Sequence, residues 1–117
     1  MKNLKKNNYK SNKIKIRIAI LGGSTTKLIK NELEIFLKSK NLDSKFYESD
    51  YNQFYFEGIK PTKELKKFNP NFIYIHTSSL NLDEFPKIGS EKKQSDKLIE
   101  NTFNRYKSIW TNLSKNF

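Results

Sequence analysis

Ser24 carries the clearest chemical potential in the chain. It follows Gly22 and Gly23 at the end of an apolar run, in the stretch Ile14 to Thr26, IKIRIAILGGSTT. A serine hydroxyl becomes a nucleophile when a neighbouring base takes its proton. The single histidine, His76, is the candidate base and closes a second apolar run, FIYIH. The backbone N–H of Gly23 and the side-chain amide of Asn81 are candidate oxyanion-type donors. Thr25, Asp50 and Asn52 are candidate lining residues. Each has a plainer reading: Ser24 or Thr25 as a helix N-cap, His76 as a structural strand-end residue, Asn81 as a turn former. The glycines fit neither of two well-known phosphate-binding patterns. No Gly-Lys-Ser/Thr follows at Walker spacing, and no third glycine completes a dinucleotide fingerprint. One histidine, no cysteine and singly scattered carboxylates give no metal constellation.

These residues need a frame. Ile14, Ile16, Ile18, Ala19, Ile20 and Leu21 read as a buried strand stopped by the glycines. Leu28, Ile29, Leu33, Phe36 and Leu37 share one face of a helix over Lys27 to Lys40, with Asn41 as its stop. After a turn at Leu42-Asp43-Ser44, Lys45 to Glu48 is a short second strand. Ser49 to Gly58, SDYNQFYFEG, reads as an aromatic loop. Pro61 and Thr62 open a short helix ended by Asn69-Pro70, and Phe72 to His76 is the third strand. A long polar loop runs from Thr77 to Ser90. Ser95 caps a last helix with an apolar stripe from Leu98 to Leu113.

The order β-α-β-α-β-α implies right-handed crossovers and a parallel sheet in order 2-1-3. The expected fold is a three-layer α/β/α arrangement of flavodoxin-like type, incomplete because three strands are few. Its crevice lies beyond the carboxyl ends of the first and third strands, where Gly22–Thr26 and His76–Asn81 meet. The third strand keeps one unpaired edge, open to self-association.

The 117 residues suffice for one domain. Hydrophobic residues make up only 35%, but sixteen residues are aromatic, so a core can form from few large side chains. The lack of cysteine excludes disulfides and fits a reducing compartment, hence a cytoplasmic expectation. No apolar run is long enough to span a bilayer. The net charge is +11, and seven Lys and Arg occur by Arg17 with no acid among them. Residues 1–12 read as a disordered basic tail, and residues 13–117 as the folded part. The basic residues are dispersed, without a recognition helix or stacking platform, which argues against nucleic acid as the partner.

Four stretches in order carry a family resemblance: ILGGSTT, FYESDYNQFYFE, FNPNFIYIHTSSLNL and NTFNRYKSIW. Together they resemble the N-terminal domain of FkbH-like proteins, in subfamily IIIC of the haloacid-dehalogenase superfamily. The resemblance implies an SGNH-hydrolase-like domain with Ser24 at the nucleophile position. It implies a following phosphatase-like domain holding catalytic aspartates and magnesium, and a role in acyl or glyceryl transfer to an acyl carrier protein or in surface-polysaccharide or polyketide biosynthesis. The Asp-x-Asp signature of that phosphatase domain and the late SGNH histidine do not occur in these 117 residues. Leu80 stands where relatives often carry arginine. The expectation is therefore a fragment that is inactive by itself and needs no cofactor of its own. The alternatives are a non-catalytic module binding an acyl carrier protein or phosphorylated ligand, and a basic nucleic-acid binder.

Overall fold

The computed structural model describes residues 12–117. The expected basic tail thus lies outside the described residues except for Asn12. Strand β1 (Ile14–Gly22) is central. It pairs in parallel with β2 (Leu42–Glu48) on one side and β3 (Phe72–His76) on the other, giving the order 2-1-3. Helices α1 (Lys27–Ser39), α2 (Phe54–Ile59), α3 (Lys63–Phe68) and α4 (Lys92–Asn116) complete the domain. No helix of the described residues is long and apolar enough to cross a membrane.

Strand alternation sends the side chains of β1 to two cores. Ile18 and Ile20 meet Leu37 of α1, with Leu33, Leu42 and Phe46 around them. Ala19 and Leu21 face the other way, toward Phe54, Leu65, Ile109 and Leu113 of α2, α3 and α4. This is the three-layer α/β/α arrangement with β1 at its heart.

The register of β3 is fixed at its entry. The Asn71 N–H donates to the Arg17 carbonyl at 2.8 Å, and the Arg17 N–H donates to Asn71 Oδ1 at 2.9 Å. Just before it, α3 stops at Asn69, which adopts a left-handed φ of 49°. The start of α3 is capped by the Thr62 hydroxyl, which accepts from the Leu65 N–H at 3.1 Å.

Several boundaries differ from the sequence reading. Strand β2 begins at Leu42 rather than Lys45, because positions 42–44 pair with Ile14–Ile16 instead of turning. The aromatic stretch read as a loop contains helix α2. It is stabilised by α4: the Asn112 side chain donates to the carbonyls of Gly58 and Ile59 at 2.8 and 2.7 Å, satisfying the helix end. A Cβ on Gly58 would overlap Ile109, so this glycine lets the two helices approach closely. Helix α4 starts at Lys92, with Glu91 rather than Ser95 at its N-cap. On α1, Leu28 and Phe36 are exposed, not inward, because the helix packs mainly through Leu33 and Leu37. Of the α4 stripe, only Ile109 and Leu113 are fully covered.

Candidate functional site

The turn after β1 sits where three segments converge. The Gly23 N–H donates to the His76 carbonyl at 2.8 Å, continuing the β1–β3 pairing past the strand end. The Gly22 N–H donates to Ser49 Oγ at 3.0 Å, which ties the turn to the segment after β2. The Ser49 N–H in turn donates to the Ile20 carbonyl at 2.9 Å.

Asn81 closes the arrangement from the third side. Its Nδ2 donates to the Gly23 carbonyl at 2.9 Å and reaches Asn52 Oδ1 at 3.4 Å. Its Oδ1 accepts from the Ser78 N–H at 2.9 Å. The Ser78 hydroxyl accepts from the Leu80 N–H, so residues 78–81 form a capped single 3₁₀ turn (Ser79–Asn81) that aims the carboxamide inward. A Cβ on Gly23 would occupy the space of that carboxamide. Asn52 adopts a left-handed φ of 57°, which asparagine tolerates better than most side chains.

The structure therefore brings together Gly23, Asn52 and Asn81, and places Ser24 directly on the pinned turn. Ser24 is partly buried and Thr25 is exposed. Asp50 is also exposed and accepts through its carbonyl from the Gln53 N–H at 3.1 Å, shaping the entry to α2. Neither Ser24 nor Thr25 caps α1. Thr26 occupies the N-cap, and its hydroxyl donates to Glu48 Oε1 at 3.0 Å instead of accepting from the helix.

Ser24 and His76 are not joined by a hydrogen bond. The His76 imidazole Nδ1 lies 3.0 Å from the Tyr74 hydroxyl, and the two rings are 5.7 Å apart. Both side chains leave the same face of β3, two residues apart. Only the His76 backbone reaches the glycine turn. The sequence reading missed Tyr74, Ser49 and Glu48. Tyr74 was detectable from its i, i+2 relation to His76; the other two depend on the pairing of β2 with β1.

A second polar group lies beneath α2. Glu57 is only 7% exposed, and its Oε2 accepts from the Tyr47 hydroxyl at 3.0 Å. Tyr47 also contacts the Thr62 hydroxyl at 3.2 Å. Burial pushes the Glu57 carboxyl above the ordinary glutamate range, more than the Tyr47 hydrogen bond lowers it. The charges of Asp50 and Glu64 push the same way. Burial likewise raises Tyr47. Among the described residues, no three His, Cys, Asp or Glu side chains are grouped to hold a metal ion.

A glycine turn at the carboxyl edge of an open parallel sheet, faced by the loop after the third strand, is the architecture of a doubly wound α/β domain. The model of the FkbH N-terminal domain matches residues 17–117, and the chain belongs to that family. Among solved structures it is similar to the N-terminal part of a Bacteroides fragilis protein containing a phosphatase domain, complexed with Mg. The TM-score is 0.65 at 20% identity, covering 82% of this chain. This chain spans only 25% of the length of that one. Among curated proteins no match was found.

Proposed function

We propose that the crevice binds an acyl group, presented as an ester or thioester by a carrier such as an acyl carrier protein. In this reading the domain holds that group for transfer chemistry carried out with a phosphatase-type domain of an FkbH-like protein. It does not hydrolyse the group itself. The supporting observation is the Asn81 carboxamide. One Nδ2 hydrogen is committed to Gly23 at 2.9 Å, while the contact to Asn52 is long at 3.4 Å. An incoming carbonyl oxygen can replace Asn52 as the second acceptor with little loss.

The same geometry argues against turnover. Attack by Ser24 needs a base within hydrogen-bond reach of its hydroxyl. No hydrogen bond joins Ser24 to the His76 imidazole, whose Nδ1 lies beside the Tyr74 hydroxyl. The resemblance to SGNH hydrolases thus supports a retained carbonyl pocket without a retained proton acceptor. The similar Bacteroides fragilis protein contains a phosphatase domain and was solved complexed with Mg, which supports pairing of this domain with one of that type.

Titration with a short acyl-pantetheine thioester, followed by backbone and side-chain amide NMR, tests this reading. Saturable shifts are expected at Gly23, Ser24, Asn52 and the Asn81 carboxamide, and Asn81→Ala should abolish them. Unchanged amide positions at millimolar thioester would refute the proposal.

A further inference from the structure

Asn81 lies in the segment that joins β3 to α4, residues 77–90, whose one regular element is the 3₁₀ turn Ser79–Asn81. A long irregular segment does not hold a side chain still by itself. Among the described residues, its polar ties to the rest of the domain are few. Apart from the contacts of Asn81 itself there are two, and both come from consecutive residues of α4. Upstream of Asn81, the Tyr106 hydroxyl donates to Thr77 Oγ1 at 3.0 Å. Downstream, Arg105 Nη1 pairs with Asp83 Oδ2. Helix α2 fixes these two side chains in turn. The Tyr106 ring stacks on buried Phe54 with centroids 6.2 Å apart. The Arg105 guanidinium lies 4.3 Å from the Tyr55 ring centroid and 5.9 Å from that of Phe54. Asp83 is 70% exposed, and so exposed an ion pair contributes little when both partners move freely. Here the arginine is already held over two rings, so closing the pair orders little more than the loop.

We infer that Arg105 and Tyr106 are positioning residues: they hold the segment on either side of Asn81, so that its carboxamide is aimed at the crevice before any ligand arrives. The aromatic pair of α2 orients the two α4 side chains, and these fix both flanks of Asn81. A carboxamide ordered in advance loses less entropy on engaging a carbonyl. The consequence for binding rests on the carbonyl-binding reading above; the ordering of Asn81 does not.

Tyr106→Phe deletes the hydroxyl and keeps the ring on Phe54. Arg105→Gln deletes the charge and the stacked cation, whereas Arg105→Lys keeps the charge. The readout is the order parameter of the Asn81 side-chain amide, measured by NMR on the ligand-free chain. In the wild type it should lie in the rigid range, at about 0.85, and in the Tyr106→Phe/Arg105→Gln double variant it should fall below about 0.6. Each single variant should give an intermediate value, and Arg105→Lys in place of Arg105→Gln should restore part of the order. Backbone exchange in β1 and β3 should not change, which separates positioning from a general loosening of the fold. Affinity for the acyl-pantetheine thioester should fall about fivefold or more in the double variant. An Asn81 amide that stays rigid in the variants overturns the inference. So does a mobile amide that binds the thioester as tightly as the wild type. If the wild-type chain binds no thioester, the carbonyl reading fails and the order parameter alone decides the inference.

Discussion

Asn81 holds the carbonyl of Gly23 at 2.9 Å across 58 residues of sequence, and its carboxamide fills the volume that a side chain at Gly23 would need. One relationship thus explains both residues. The glycine is there because the amide is there, and the amide fixes the turn that presents Ser24.

This coupling predicts a non-additive pair. Gly23→Val should destabilise the domain by about 2–3 kcal/mol through overlap with Asn81. Asn81→Ala should cost about 1–2 kcal/mol by leaving polar backbone groups short of partners. The double variant should be more stable than the sum of the two losses, because the smaller alanine makes room for the valine. Urea melts of the four proteins measure the coupling. Strict additivity would mean that the two sites do not touch.

Helix α2 depends on α4 through two contacts at its end. Gly58→Ala should cost about 1–3 kcal/mol by pressing on Ile109. Asn112→Ala should cost about 1–2 kcal/mol by releasing the Gly58 and Ile59 carbonyls. Amide exchange should accelerate first at residues 54–59. Uniform loss of protection across the sheet would argue that α2 is not a locally supported element.

The buried Glu57 carboxyl sets a pH dependence. Its proton is held more tightly in the folded than in the unfolded chain, because burial disfavours the charge. The resulting stability is present below the ordinary glutamate pKa and is lost as pH rises through the raised folded value. Glu57→Gln should therefore flatten the stability profile across that window and leave the protein at least as stable at neutral pH. Tyr47 acts in the same direction at alkaline pH, since its folded pKa is also raised. A wild-type melting temperature that climbs from mildly acidic to neutral pH, with Glu57→Gln removing the climb, would reverse this assignment.

Much of the frame was legible before any coordinates. The β-branched run of β1, the glycine stop and the FIYIH run specify strands, and their separation by helical segments implies a parallel sheet, for which 2-1-3 is a common order. Thr62 and Asn69 mark the ends of α3 by local chemistry alone. Helix α2 was not legible, because Phe54, Tyr55 and Phe56 suit a loop as well as a helix. Its stability comes from Gly58 meeting Ile109 and from the Asn112 side chain, both distant in sequence. The inward face of α1 was overstated because periodicity marks a stripe but not the width of the surface beneath it. Three strands cover Leu33 and Leu37 and leave Leu28 and Phe36 outside. In the site, Gly23, Asn52 and Asn81 were identifiable by residue type and loop position. The contacts that Ser49 makes to Gly22 and Glu48 makes to Thr26 were not, because they depend on the pairing of β2 with β1, which local spacing does not reveal.

The central claim is that the crevice keeps a carbonyl-binding pocket while its serine lacks a base. The direct measurement is turnover of a short-chain aryl ester by the wild-type chain and by Ser24→Ala, at equal concentrations near neutral pH. The account predicts equal rates for both proteins, indistinguishable from buffer. Ester turnover by the wild type that Ser24→Ala abolishes would contradict it, and would require the His76 imidazole to come within hydrogen-bond reach of Ser24.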